Sequence, residues 1–287
     1  MTITTPPHLD VCKDGDVDRH VDVQTDAGKA LGKDDTDRSP RMVGYTIVLA
    51  NHKGGVTKTT STANLGAMFA EAGRRVLIVD CDPQANLSEA FGWAEDVPGE
   101  RLEDLLANPT ATHRYTPPVA LQPGVAPGLA WREQLRIIPA TDALADIAAD
   151  LPELAGTGYE GRLTDVLDPL RDQFDVILLD TPPGRGNLSG MAVLAADGLL
   201  IPALAADLDV RGAGKLYDLV EGEIPDLRIL GVLIAASDRR WQITRDAAAR
   251  MAADQMRVLS VQVPRAVRVA SAPRYGASSG DSRARPS

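Results

Sequence analysis

Aromatic side chains are scarce: three Phe, five Tyr and three Trp make up 4% of the 287 residues. A core must therefore be filled by Leu, Val, Ile and Ala, and the apolar fraction of 44% is enough for one large α/β domain or two small ones. Cysteine is scarcer still. Cys12 and Cys81 stand far apart and form no C-x-x-C pair. That spacing argues against a zinc ribbon or an intrachain iron–sulfur site and fits a reducing cytosol. No apolar run approaches the roughly 18 to 20 residues that span a bilayer. The acidic N-terminus lacks the basic-then-apolar pattern of a secretory leader.

Positive charge is also in deficit, with a formal net charge of -10, which argues against indiscriminate nucleic-acid binding by the whole surface. The average conceals an asymmetry. From Arg239 to Ser287 there are ten arginines, no lysine and three acids, Asp246, Asp254 and Asp281. That segment carries about +7 and the remainder about -17. A solvated basic surface would have this composition, and so would a phosphate-binding patch.

Residues 1–42 are rich in Asp, Gly, Thr and Lys without apolar periodicity and read as a disordered acidic extension. Asp14, Asp16 and Asp18 hint at a calcium loop, but Arg19 replaces its glycine and Thr25 its glutamate, so that site is rejected. Residues 43–271 read as one domain. Strand-like runs at Tyr45–Ala50, Arg75–Asp80, Leu135–Pro139, Asp175–Asp180, Gly198–Pro202, Arg228–Ala236 and Val258–Val263 alternate with helical stretches near 58–72, 142–150, 162–173, 188–196, 211–222 and 243–255. Near-continuous Val, Ile and Leu in several runs fits strands covered on both faces. The alternation predicts an α/β fold with a doubly wound, mostly parallel sheet, whose ligands bind beyond the carboxyl ends of the strands. The Pro- and Gly-rich stretch 108–132 reads as a surface excursion, and 272–287 as a flexible basic tail.

Three strand ends carry chemistry. After the first run comes N-H-K-G-G-V-T-K-T-T. Gly54 and Gly55 let amides turn inward, a helix begins near Lys58, Lys58 can reach β- and γ-phosphates, and Thr59 can offer a hydroxyl to Mg²⁺. The usual G-x-x-x-x-G-K-[ST] spelling is not met, since Thr57 stands where glycine is expected and a second lysine, Lys53, precedes the glycines. After the second run comes D-C-D-P-Q-A-N-L. Alternation sends Asp80 and Asp82 to one side and Cys81 to the other. One carboxylate can hold metal-bound water and the other orient an attacking water. The fourth run, D-V-I-L-L-D, ends in Asp180, a Walker-B arrangement, followed by the stiff turn Pro182-Pro183-Gly184.

Together these segments resemble the ParA/MinD family of deviant Walker A ATPases. K-G-G-V-T-K-T-T is similar to its K-G-G-x-x-K-[ST]-[ST], D-C-D-P-Q to its D-x-D-P-Q, D-V-I-L-L-D-T-P-P to its Walker B, and V-P-R-A-V-R-V-A-S-A-P to its I-P-R-N-V-R-L-x-E-A-P. The resemblance runs in order over about 43 to 277. It implies ATP and Mg²⁺ as cofactors, with slow, partner-stimulated hydrolysis. It implies nucleotide contacts from Gly54, Gly55, Val56, Thr57, Lys58, Thr59 and Thr60, with Thr60 at the α-phosphate and Pro264 and Arg265 beside the adenine. Thr59, Asp80 and Asp180 would organise Mg²⁺, and Asp82 would support hydrolysis. Lys53 would reach the phosphates of a partner chain across an ATP-bound homodimer. Arg240 and Arg268 match arginines with which chromosomal relatives bind double-stranded DNA without sequence preference, and both lie in the basic region. A ParB-like centromere-binding partner and a cytoplasmic, nucleoid-associated location follow from the same resemblance.

Three departures stand out. Ala206 sits where many relatives carry an acid, Ser271 replaces the glutamate of E-A-P, and the family's final helix is not evident after Tyr275. A MinD-like membrane-associated ATPase is the alternative. It would need a C-terminal amphipathic helix, which the Ser/Gly/Arg/Pro tail does not provide, so no membrane partner is expected. A nitrogenase-iron-protein-like reductase lacks its cysteines. A scaffold without hydrolysis would follow only if Thr57 spoils the loop.

Overall fold

The computed structural model describes residues 44–93, 97–120, 131–155, 158–204, 207–235 and 242–260. The expected extension 1–42, the tail 272–287, and Arg240, Pro264, Arg265 and Arg268 lie outside them. Among the described residues, six strands form one sheet: β1 (Tyr45–Leu49), β2 (Val76–Asp80), β3 (Leu135–Ile138), β4 (Val176–Asp180), β5 (Gly198–Leu204) and β6 (Arg228–Ala235). Their order is β3-β2-β4-β1-β5-β6, and every pairing is parallel. The helices are α1 (Lys58–Glu71), α2 (Asn86–Ala90), α3 (Leu102–Ala107), α4 (Ala143–Ala155), α5 (Arg162–Arg171), α6 (Asn187–Leu194), α7 (Asp207–Glu223) and α8 (Gln242–Ala253).

The apolar runs are unbroken because both faces of the sheet are covered. On β2, Leu77 and Val79 enter one core while Val76 and Ile78 enter the other. On β4, Ile177 and Leu179 face the first core and Leu178 the second. Helix α1 lies on the second face and packs through small residues, Ala63, Ala67 and Ala70. The approach is close at Gly66, where a Cβ would stand 3.0 Å from Ile78 and 3.3 Å from Leu135. The chain leaves β1 through α1 to β2 on one side and later returns beside β1 with β5 on the other. The loop after β1 therefore sits at the switch point of the sheet, where α/β folds bind ligands.

Three expectations need correction. The stretch 108–132 is not all surface, for Tyr115, Ala120 and Trp131 are buried. The Ala120 N–H donates to the Leu135 carbonyl, and Trp93 Nε1 donates to the Ala120 carbonyl at 2.8 Å. This segment covers the edge of β3, whose backbone groups would otherwise be unpaired. The run expected as a strand at Val258–Val263 is met, in its described part, as a single parallel bridge between Val258 and Val232. Helix α4 also outruns its expected end and continues through Pro152. Proline cannot donate to the carbonyl four residues back, and Asn187 Nδ2 takes that Ala148 carbonyl instead at 3.1 Å.

Candidate active site

The loop from Ala50 to Thr57 turns β1 into α1. Gly55 (φ +73°) and Thr57 (φ +69°) both occupy the left-handed region. The fold thus keeps the backbone shape that glycine normally supplies before the lysine, although a β-branched residue is strained there. Neighbours hold it in place: the Thr57 carbonyl accepts the Ser61 N–H at 2.8 Å, and the two hydroxyls lie 3.4 Å apart. Thr57→Gly should therefore raise stability by up to about 1 kcal/mol, the strain relieved minus the extra freedom of glycine in the unfolded chain. The check is the denaturant midpoint at unchanged slope. A clear loss of stability would mean that the Thr57–Ser61 contact outweighs the strain.

Lys58 opens α1 with only 7% of its surface exposed. Its ammonium donates to the carbonyls of Lys53 (3.2 Å) and Asn51 (3.5 Å) and so points back into the loop. Burial lowers its pKa, while Asp180 and Asp82 counter the shift and favour the cation. The first-turn amides of α1 have no intrahelical partners, and no acid stands in that turn. Lys58 lines a cavity of about 700 Å³ together with Gly54, Gly55, Thr57, Thr59, Thr60 and Asp82. Backbone amides, a helix N-terminus and a buried cation converge there, a donor set that suits phosphate oxygens.

Asp80 and Asp180 are register partners on β2 and β4, and both are fully buried. Burial pushes Asp80 up to about 6, against the hydrogen bonds from Ser88 and the Asp82 amide. Burial, followed by repulsion from Asp80, pushes Asp180 up to about 8. Asp80 accepts the Asp82 N–H at one oxygen and the Ser88 N–H (2.8 Å) and hydroxyl (2.7 Å) at the other. It thereby ties β2 to α2. On Asp180, Oδ1 accepts the Thr62 hydroxyl at 3.3 Å, while Oδ2 is buried without a protein partner. The Thr59 side chain draws the Asp180 pKa back down. A buried carboxylate pair with an open oxygen beside a threonine hydroxyl is a donor set that fits a hard divalent cation, which would relieve both the repulsion and the orphaned oxygen.

Asp82 is 8% exposed, and its Oδ1 accepts the Gln84 N–H at 2.9 Å. Cys81 packs into the opposite core, as alternation requires. Val56 is fully buried and lies outside the cavity lining, so only its backbone is available to a ligand. Lys53 is exposed and also outside the lining. Pro183 lines the cavity and would meet a Cβ at Gly54 at 3.7 Å. Gln84, Asn86 and Glu89 line it too and were not singled out from sequence. They lie within or just after D-C-D-P-Q-A-N-L, yet their residue types alone carry no phosphate chemistry.

Residues 44–226 match the model of an AAA domain family, AAA_31. The chain is 34% identical over 245 residues to the chromosome partitioning protein ParA of Myxococcus xanthus, covering 84% of this chain and 82% of that protein. It belongs to the ParA family of P-loop ATPases. Identity is also 34% over 244 residues to the chromosome-partitioning ATPase Soj of Thermus thermophilus, covering 80% of this chain and 85% of that one. Among solved structures, the ATP complex of a Cyanothece McdA variant superposes with a TM-score of 0.69 at 26% identity, over 82% of this chain and 89% of that chain. A Mycobacterium smegmatis protein described as cobyrinic acid a,c-diamide synthase, with bound ADP and magnesium, superposes at 0.65 and 31% identity, over 78% and 87%. No helix among the described residues is long and apolar enough to cross a membrane.

Proposed function

We propose that this ParA-family ATPase is a DNA-partition switch. Bound to ATP and Mg²⁺ it forms a homodimer, the dimer holds double-stranded DNA without sequence preference, and a ParB-like centromere-binding protein stimulates its hydrolysis. What carries the reading is the parting of the two loop lysines. Lys58 is buried and lines the cavity, whereas Lys53, five residues earlier, is exposed and outside it. A lysine that does not line its own chain's cavity supports the reading that it serves the nucleotide of another. The partition names of the Myxococcus and Thermus relatives support the rest.

In this proposal Lys58 and the first amides of α1 bind the β- and γ-phosphates, with Gly54, Gly55, Val56 and Thr57 lending backbone N–H groups and Thr60 contacting the α-phosphate. Thr59 and Asp180 would hold magnesium, with Asp80 beside Asp180 as the second negative charge. Magnesium, when bound, neutralises phosphate charge that builds in the transition state. Asp82 orients the attacking water at the cavity wall. Lys53 supplies a cation in trans, where it stabilises charge developing on the transferred group. Pro264 and Arg265 pass the adenine, and Arg240 and Arg268 meet DNA phosphates. The ATPase domain is 43–271, and the protein works on the nucleoid in the cytoplasm.

The test is sedimentation with a slowly hydrolysed ATP analogue. Lys53→Ala should leave the affinity of one chain for ATP within about threefold, because an exposed cation outside the cavity contributes little there, and should weaken the ATP-dependent dimer at least about thirtyfold, the scale of truncating one partner of an interfacial charge pair. A Lys53→Ala protein that dimerises like the native chain removes the lysine in trans.

A further inference from the structure

Asn51 follows β1 and is only 2% exposed. Its side chain makes two hydrogen bonds. Nδ2 donates to the Pro202 carbonyl on β5 at 2.8 Å, and Oδ1 accepts the backbone N–H of Lys53 at 3.1 Å. The backbone ladder from β1 to β5 reaches the Ala50 N–H, which donates to the Leu200 carbonyl. The Asn51 amide then takes the carbonyl two residues further along β5, so a side chain continues a ladder the backbone has left. A buried amide satisfied at both ends has little freedom to rotate. Helix α7 closes over it, since a Cβ at Gly212 would lie 3.7 Å from Asn51 Oδ1. The intervening residue is anchored as well: the His52 carbonyl accepts the Gly184 N–H, from the loop after β4, at 3.0 Å. The backbone that carries Lys53 is thus tied to β5 by one residue and to the loop after β4 by the next.

We infer that Asn51 is the positioning residue for Lys53. By holding the Lys53 amide it fixes the backbone from which that exposed side chain would reach a second chain. The inference rests on the proposal that Lys53 acts in trans. Asn51 itself touches neither nucleotide nor metal in this account; its other link to the site is its backbone carbonyl, which accepts the Lys58 ammonium at 3.5 Å and which a side-chain substitution keeps, so a loss by that route would be read in ATP affinity.

The experiment is a double-mutant cycle over native protein, Asn51→Ala, Lys53→Ala and the pair. Each is measured for ATP affinity at concentrations too low to dimerise, and for the dimer dissociation constant with a slowly hydrolysed analogue. Asn51→Ala should weaken the dimer at least about tenfold, the scale of a lost buried hydrogen bond, with ATP affinity within about threefold of native. The pair should be no worse than Lys53→Ala alone, because residues acting through one another do not add. If Asn51→Ala does not fold, Asn51→Leu takes its place under the same criteria, since it keeps a similar volume but has no oxygen to accept the Lys53 N–H. Additive losses, a weakened ATP affinity, or native dimerisation by the Asn51 variant beside a weakened Lys53→Ala dimer would overturn the inference and leave the lysine in trans standing. Native dimerisation by Lys53→Ala would remove that reading and the inference with it.

Discussion

Lys58→Ala will lose Mg-ATP binding, with affinity falling at least about a hundredfold, or roughly 2.7 kcal/mol. The ammonium is 7% exposed and sits in a cavity bordered by amides, so it is a largely desolvated cation facing a polyanion. Charge-assisted hydrogen bonds in such surroundings are about twice as strong as neutral ones. The alanine variant leaves the phosphates with amide dipoles alone. Lys58→Arg should not rescue it, because a planar guanidinium cannot occupy the point where the Lys53 and Asn51 carbonyls now hold one nitrogen. Titration with a fluorescent ATP analogue measures both. Binding within threefold of native by the alanine variant would mean that the cavity is not the phosphate site.

Asp82→Ala should separate binding from turnover. Asp82 lines the cavity just past the end of β2, together with Lys58, Thr59 and Thr60 of α1, and the Gln84 amide holds one of its oxygens. Lys58 does not depend on it alone, since Asp180 also supports that cation. ATP affinity should hold, while hydrolysis falls by about a hundredfold or more, the usual contribution of a positioned acid–base group. The ATP-bound dimer should then accumulate and persist. Phosphate release measured beside sedimentation tests this, and normal turnover would move the hydrolytic role to another residue.

Much of this architecture was legible because its physics is local. Strands covered on both faces leave unbroken runs such as Val76–Asp80, and phosphate and metal chemistry gathers at strand tips, where Lys58, Asp82 and Asp180 were found. What was not legible depends on tertiary context. Helices α2 and α3, at five and six residues, are too short to show a period. The burial of Ala120 and Trp131 arises from the open edge of β3, which no spacing announces. The passage of α4 through Pro152 depends on Asn187, 35 positions away in sequence, taking the released carbonyl. The division of labour between Asp80 and Asp180 was equally hidden, because it turns on Ser88 occupying one carboxylate and leaving the other open. The left-handed backbone at Thr57 shows the reverse case: the sequence pattern implied glycine geometry, and the fold imposes it on another residue.

The central claim is that ATP controls sequence-indifferent DNA binding, and one measurement tests it most directly. Affinity for two unrelated duplexes is followed across a salt series, with ADP and with ATP. Each phosphate contact adds roughly one unit to the salt slope. One chain of net charge -10 has few well-placed arginines, so binding with ADP should be weak and the slope shallow. A dimer would present two basic patches to one duplex, and the second engagement would become nearly intramolecular. With ATP the affinity should rise steeply, the slope should about double, and both duplexes should bind alike. Arg240→Glu and Arg268→Glu should weaken both duplexes equally while leaving ATP binding and dimerisation intact. Equal affinity in the two nucleotide states, or a strong preference for one duplex, would contradict the account.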